Sequence, residues 1–102
     1  MQTPEVWQFY QCADFFSSTL AETGWWDEPG QCWYIHRAIE LYVDEGSDLL
    51  VIGRPGVDGI LCGYRQNHHG VWAFYPNDRS HHRIAETAED LRAGYGSGRI
   101  TV

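Results

Sequence analysis

Residues 49–76, LLVIGRPGVDGILCGYRQNHHGVWAFYP, constrain the fold more than any other stretch. Leu49, Leu50, Val51 and Ile52 form an apolar run ending at Gly53, of the type that packs on a pleated surface. Pro55-Gly56 and Asp58-Gly59 then punctuate the chain, Pro presetting one turn dihedral and Gly accepting a positive φ. Residues 60–65 follow with Ile60, Cys62 and Tyr64 on one side and Leu61, Gly63 and Arg65 on the other. A polar loop, Gln66-Asn67-His68-His69-Gly70, precedes a third strand over residues 71–75, stopped by Pro76-Asn77-Asp78. Strands joined by such short loops can only be antiparallel neighbours, because a parallel return needs a long crossover. A β-meander is therefore the expected centre of the molecule.

The flanks predict helices. Thr3-Pro4-Glu5 opens one with a hydroxyl cap, Pro at the first helical position and an early acid. Val6, Phe9, Tyr10, Ala13, Phe16 and Leu20 recur at helical spacing, with Trp7 and Phe15 off the stripe, so a helix is expected over residues 4–22, capped by Gly24. Thr87-Ala88-Glu89-Asp90 has the form of a capping box and starts a second helix over residues 87–94, with Leu91 and Tyr95 on one face. Residues 33–43 fit both periods: Ile35, Ala38, Ile39, Tyr42 and Val43 suit a helix, while Trp33, Ile35, Ile39, Leu41 and Val43 suit a strand. The Gly-containing loop Asp44-Glu45-Gly46-Ser47-Asp48, leading straight into the next strand, tips the reading to a strand over residues 35–43 and a hairpin. Residues 77–83 read as a polar loop, Ile84-Ala85 as a short extended piece, and residues 99–102 as a terminal strand on the sheet edge. The expected fold is one α+β domain over residues 1–102: an antiparallel meander flanked by an N-terminal helix and a short C-terminal helix.

Chemistry is harder to find. Fourteen acidic residues against seven basic ones give a formal net charge of −7, which argues against direct nucleic-acid binding. Cys12, Cys32 and Cys62 are an odd number at wide spacing, neither a disulfide framework nor a zinc knuckle, and imply reduced thiols. The chain shows neither an export signal nor a membrane-length apolar stretch, and reads as a soluble cytoplasmic protein. His68-His69 and His81-His82 invite a metal, but adjacent pairs on two loops match no usual ligand spacing, so no metal or cofactor is expected. Cys62 lies mid-strand and reads as a small buried hydrophobe rather than a nucleophile. Gly53, Gly56 and Gly59 lack the following helix and Lys of a phosphate loop, and read as turn glycines. The pairs Asp27-Glu28, Asp44-Glu45 and Glu89-Asp90 are sequence neighbours, which seldom face each other across a cleft. No catalytic residue is expected.

Five Trp and six Tyr exceed what a core this small needs, and surplus aromatics favour binding patches. Adjacent side chains diverge, so of Trp25 and Trp26 one should lid the sheet while the other stays partly exposed. Two stretches combine aromatics with acids: Trp25-Trp26-Asp27-Glu28, and Tyr42 beside Asp44, Glu45 and Asp48. These are the candidate partner-binding residues, suited to a basic protein surface.

Val51-Ile52-Gly53 followed by Gly56-Val57-Asp58-Gly59-Ile60 resembles the central motif of the SUKH superfamily, an "l-x-I-G" strand before a Gly/Asp-rich turn. The likeness continues through Gly70-Val71-Trp72 and ends at Ile84-Ala85-Glu86-Thr87 with Leu91, covering roughly the last half of the chain. The resemblance implies a non-enzymatic α+β domain in which Gly53, Gly56 and Gly59 are structural. It also implies a protein-binding role, either as a bacterial immunity protein that neutralises a toxin by binding it or as an adaptor. The composition suits two other readings: an acidic phage-type inhibitor of a nucleic-acid-binding protein, or a small ligand- or metal-binding domain using the His-rich loops.

Overall fold

The computed structural model describes residues 1–29, 31–55 and 59–100. The chain passes from a 3₁₀ turn at Glu5–Tyr10 through two short helices, α1 (Ala13–Ser17) and α2 (Leu20–Thr23), into a hairpin of β1 (Trp25–Asp27) and β2 (Cys32–Ile35). A second 3₁₀ turn, Ala38–Glu40, leads into β3 (Tyr42–Asp44), β4 (Leu49–Gly53), β5 (Leu61–Arg65), β6 (Val71–Tyr75) and β7 (Ser80–Ala85), and helix α3 (Ala88–Gly96) follows. The last five strands form one antiparallel sheet in sequence order, and β1 pairs only with β2. The fold is α+β, with the meander at its centre as the turn chemistry predicts.

β4 is buried along its whole length because the sheet has cover on both faces. Leu50, Ile52 and Tyr64 enter the larger core with Phe15, Phe16, Leu20, Tyr34 and Leu91. On the opposite face Leu49 and Val51 pack with Phe74, bordered by Tyr42, Leu61 and Trp72. Each fully buried aliphatic side chain contributes about 1.5 to 3 kcal/mol, so the smaller cluster is a second core. His81 and Arg79 lie against its Phe74 ring and tie the β3–β4 turn to this face. His81 on β7 meets the Ser47 carbonyl at 2.5 Å and Arg79 donates to the Gly46 carbonyl at 3.1 Å. β4 and β7 would lie about 14 Å apart in a flat sheet. The sheet must therefore coil, or the turn fold across it, for these contacts to form.

The N-terminal segment is not one helix. Gln11 takes a left-handed φ of 54° after the first 3₁₀ turn, and Ser18 is extended between α1 and α2. The physical reason lies in the hydroxyls: Ser17 and Ser18 donate to the Asp14 and Phe15 carbonyls, and Ser18 Oγ accepts from Leu20 N. Such side chains offer the backbone an alternative to the helical ladder. The breaks bury Phe15 and Phe16 side by side, ring centroids 5.3 Å apart, and leave Val6 and Phe9 of the expected stripe exposed. Thr3 does not cap; the first turn has no side-chain cap. Gly24 terminates α2 at φ 62° as expected.

Four further expectations are corrected. Residues 35–43 are not a continuous strand: the end of β2, the 3₁₀ turn and the start of β3 share them, which is why neither period fits throughout. Residues 80–83 are strand rather than loop, because β7 completes the pairing of β6, with Phe74 opposite His81 and Ala73 opposite His82. Gly53 is no turn glycine. It ends β4 where β2 crosses, and a Cβ there would collide with the Tyr34 carbonyl. Gly59, at φ 71°, does act in a turn; Gly56, Val57 and Asp58 of the same motif lie outside the described residues. Arg99 and Ile100 form no strand, Ile100 N instead donating to the Gly94 carbonyl; Thr101 and Val102 lie outside the described residues.

At the other end of the chain the cap holds. Thr87 Oγ1 accepts from Asp90 N at 3.1 Å, starting α3. Asp14 of α1 reinforces it, its Oδ2 accepting from Ala88 N at 3.0 Å and from the Tyr64 hydroxyl at 2.8 Å. One carboxylate thereby ties α1, β5 and the start of α3.

Candidate functional site

Strand alternation sorts the first candidate stretch. Trp25 points inward, its ring 5.4 Å from Tyr34 and 5.7 Å from Tyr95, and Asp27 is buried beside it. Trp26 and Glu28 face outward. The β1–β2 register sets Trp26 opposite Trp33, and their rings meet edge to face at 5.5 Å while remaining 41% and 42% exposed. Trp26 Nε1 donates to Glu28 Oε2 at 2.8 Å, and Gln31 Nε2 donates to the Glu28 carbonyl at 2.8 Å. An aromatic pair in edge-to-face contact and a hydrogen-bonded carboxylate are thus presented on a ribbon outside the main sheet. Trp33 was not among the sequence candidates. Two Trp flanking Asp27-Glu28-Pro29-Gly30 was the available signal, since a turn there pairs them across strands; Gly30 itself lies outside the described residues.

The second stretch is built differently. Asp44 Oδ2 accepts from Ser47 N at 3.0 Å and Ser47 Oγ donates to the Asp44 carbonyl at 3.4 Å. Ser47 is 1% exposed, so this acid shapes the turn that is tied to the second core. Tyr42 is half-buried and receives two donors from Arg54, the shorter at 2.7 Å. Glu45 and Asp48 alone of this group point to solvent, Asp48 at φ 59°. Burial and then the Asp48 charge raise the Tyr10 phenol above its ordinary pKa. The two stretches therefore do not form one continuous acidic–aromatic site from all eight residues.

The histidines are dispersed into separate contacts. His69 meets Glu86 at 2.7 Å, His81 meets the turn, and His82 meets Ser80 Oγ at 3.0 Å. Among the described residues no group of three or more His, Cys, Asp or Glu is arranged to hold a metal. Tyr75, Asn77, Asp78, Ser80 and His82 line an open depression of about 340 Å³. It contains Ser, His and Asp, but Ser80 Oγ donates to Asp78 Oδ1 at 2.6 Å. Hydrolytic triads need the His between the two, oriented by the carboxylate and facing the hydroxyl; here the Ser lies between. The Ser80 hydrogen bonds hold the Asp78 carboxyl below its ordinary value.

The cysteines are free. Burial pushes the Cys62 thiol up to about 12 and the Cys12 thiol up to about 11, opposite to the shift a thiolate nucleophile needs. No described helix is long and apolar enough to cross a membrane. In comparisons with protein-family models, curated proteins and solved structures, the chain matches none.

Proposed function

We propose that this is a non-enzymatic protein-binding domain, of the immunity-protein type that neutralises a toxin in the cytoplasm by occupying it, and that the β1–β2 hairpin is its docking element. The exposed Trp26–Trp33 pair is the observation that carries the reading. Two neighbouring indoles that stay 41% and 42% exposed leave apolar area uncovered at one spot, and interfaces concentrate their affinity in such anchors. Glu28, held by Trp26 and Gln31, is the adjacent acid for a basic partner; Glu45 and Asp48 add steering charge from the other stretch. The partner-binding set proposed is Trp26, Glu28 and Trp33 as contacts, with Glu45 and Asp48 acting at longer range. Trp25, Asp27, Tyr42 and Asp44 support these groups from within the fold.

Affinity capture from the native host tests this. The intact protein should retain a basic protein that the Trp26→Ala/Trp33→Ala variant, folded by circular dichroism, releases. Equal retention by both would remove the hairpin from the interface. Co-expression with the captured protein separates toxin neutralisation from the acidic-inhibitor alternative: rescue of growth supports the first, and loss of nucleic-acid binding by a non-toxic partner supports the second.

A further inference from the structure

All seven basic side chains of this acidic protein are Arg and none is Lys. Arg37 and Arg92 pair with Glu40 and Glu89. Arg54, Arg65 and Arg79 form no ion pair among the described residues; each lies over an aromatic ring of the outer sheet face. Arg65 is 4.9 Å from the Trp72 ring centroid, Arg54 5.8 Å from Tyr42 and Arg79 5.9 Å from Phe74. Arg54 and Arg79 spend donors on the Tyr42 hydroxyl and the Gly46 carbonyl. Arg65 differs, its buried Nε having no hydrogen-bond partner among the described residues.

The register explains how Arg65 comes to sit there. Trp72 stands opposite Gly63 on one side and Arg83 on the other. Gly63 contributes no side chain, so Arg65, two residues further along β5, closes over the indole. Trp72 Nε1 donates to the His69 carbonyl at 3.1 Å, and the His68 ring meets the indole edge-on at 5.5 Å. Arg83 crosses Gly70 so closely that a Cβ there would lie 2.8 Å from its Cδ. Its half-exposed guanidinium is 3.6 Å from Glu86, the carboxylate that also meets His69. One guanidinium and one imidazole thus lie against the Trp72 ring, while Arg83 and His69, on the neighbouring strand and loop, share the Glu86 carboxylate.

The geometry points to the Arg65–Trp72–Arg83 cluster as a docking site for a carboxylate-rich polypeptide segment of a second partner. A guanidinium stacked on an indole keeps its donors in its own plane and has already lost much rotamer freedom, which suits bidentate capture of a carboxylate. Across β6, β5 and β7 lie about 10 Å apart, and an extended segment presents same-side carboxylates roughly 7 Å apart, a mismatch that the half-exposed Arg83 side chain absorbs. Footprint and ring access decide the class of occupant. Phosphodiester strands need an extended basic footprint and open rings for stacking. Here the basic island is small, and the Trp72 indole is covered by Arg65 while it packs against the second core. This surface has the opposite sign to the proposed hairpin interface and is independent of it.

The test is titration of the ¹⁵N-labelled full chain with a hexaglutamate peptide at low salt, followed by NMR. Saturable shifts of the Trp72 indole N–H and the Arg65 Nε–H are expected, with the Trp26 indole unmoved. Arg65→Ala should weaken binding tenfold or more, and Arg65→Lys should recover only part of it, because an ammonium keeps the charge without the fork. Should Arg65→Ala not fold, Arg83→Ala makes the same test on a half-exposed side chain. Three results would overturn the proposal: no saturable shift, binding indifferent to the Arg substitutions, or tighter binding of a single-stranded oligonucleotide at the same indole.

Discussion

The β1–β2 hairpin and the turn between β3 and β4 share a composition, aromatics beside acids, yet put it to opposite uses. On the hairpin the aromatic pair Trp26–Trp33 stays in solvent and Glu28 serves to orient it. At the turn the acid goes inward in effect: Asp44 accepts from Ser47, and the closed turn is tied through His81 to the face of Leu49, Val51 and Phe74. The difference comes from what lies beneath. On the outer side of the hairpin one Trp of each strand stays about two-fifths exposed among the described residues, whereas the turn is tied to side chains that lie against an apolar cluster. Acid–aromatic composition marks where a chain is committed to something, and the neighbouring elements decide whether that is a partner or its own core.

Alkaline pH should produce the largest effect and acts on the inner side of the hairpin. Burial raises the Tyr34 and Tyr64 phenols far above their ordinary value, with Asp14 adding to the shift at Tyr64. A folded-state pKa above the unfolded one makes a contribution that is fully present below the unfolded value and disappears as pH rises. Stability should therefore hold up to about pH 10 and then fall steeply, in urea melts taken across pH. Tyr34→Phe sharpens this, because the Tyr34 hydroxyl has no hydrogen-bond partner among the described residues. The variant should gain about 1 kcal/mol near neutral pH and lose less in alkali; a destabilised variant would show an unseen partner for that hydroxyl.

Next in size, Trp26→Ala or Trp33→Ala should each cost about 2 kcal/mol or more of partner affinity, read as a faster dissociation rate. Urea stability should change by only about 0.5 kcal/mol, as for exposed side chains generally. Asp44→Ala should show the reverse pattern: about 2 kcal/mol of stability lost, since Ser47 N–H is left without its acceptor in a buried position, and unchanged affinity per folded molecule. If Asp44→Ala weakens binding while sparing stability, the two regions are alike after all. Smallest, Asp48→Gly should leave stability the same or raise it by up to about 1 kcal/mol, because the backbone there is left-handed and Gly adopts it without strain. Its removal of one charge should slow association with a basic partner by less than tenfold.

Much of the meander was legible because its determinants are local. Alternating apolar residues, Gly and Pro at turn positions, and loops too short for a crossover act over a few residues, as does the Thr87 cap. The failures have equally local causes read with the wrong weight. The apolar spacing over residues 6–20 suggested one helix, but Ser17 and Ser18 bond their own backbone and break it. The Trp26–Trp33 pair was half legible, since Trp26 was named and its cross-strand partner was not. What lay out of reach involves residues distant in sequence: Asp14 bonding to Tyr64 and Ala88, or the β3–β4 turn held by Arg79 and His81.

By itself the sequence determined the order and antiparallel sense of β4, β5 and β6, and the helical start at Thr87, because these follow from backbone sterics and side chains within a few bonds of each other. Only the tertiary structure decided which face each charged or aromatic group would occupy. The net charge of −7 is an average and contains no trace of the Arg cluster around Trp72, which exists because pairing β5, β6 and β7 in one register brings Arg65, Trp72 and Arg83 onto the same face. Pairing register is set jointly by all the strands and the cores on both sides of them, and so is the sign of the surface they present.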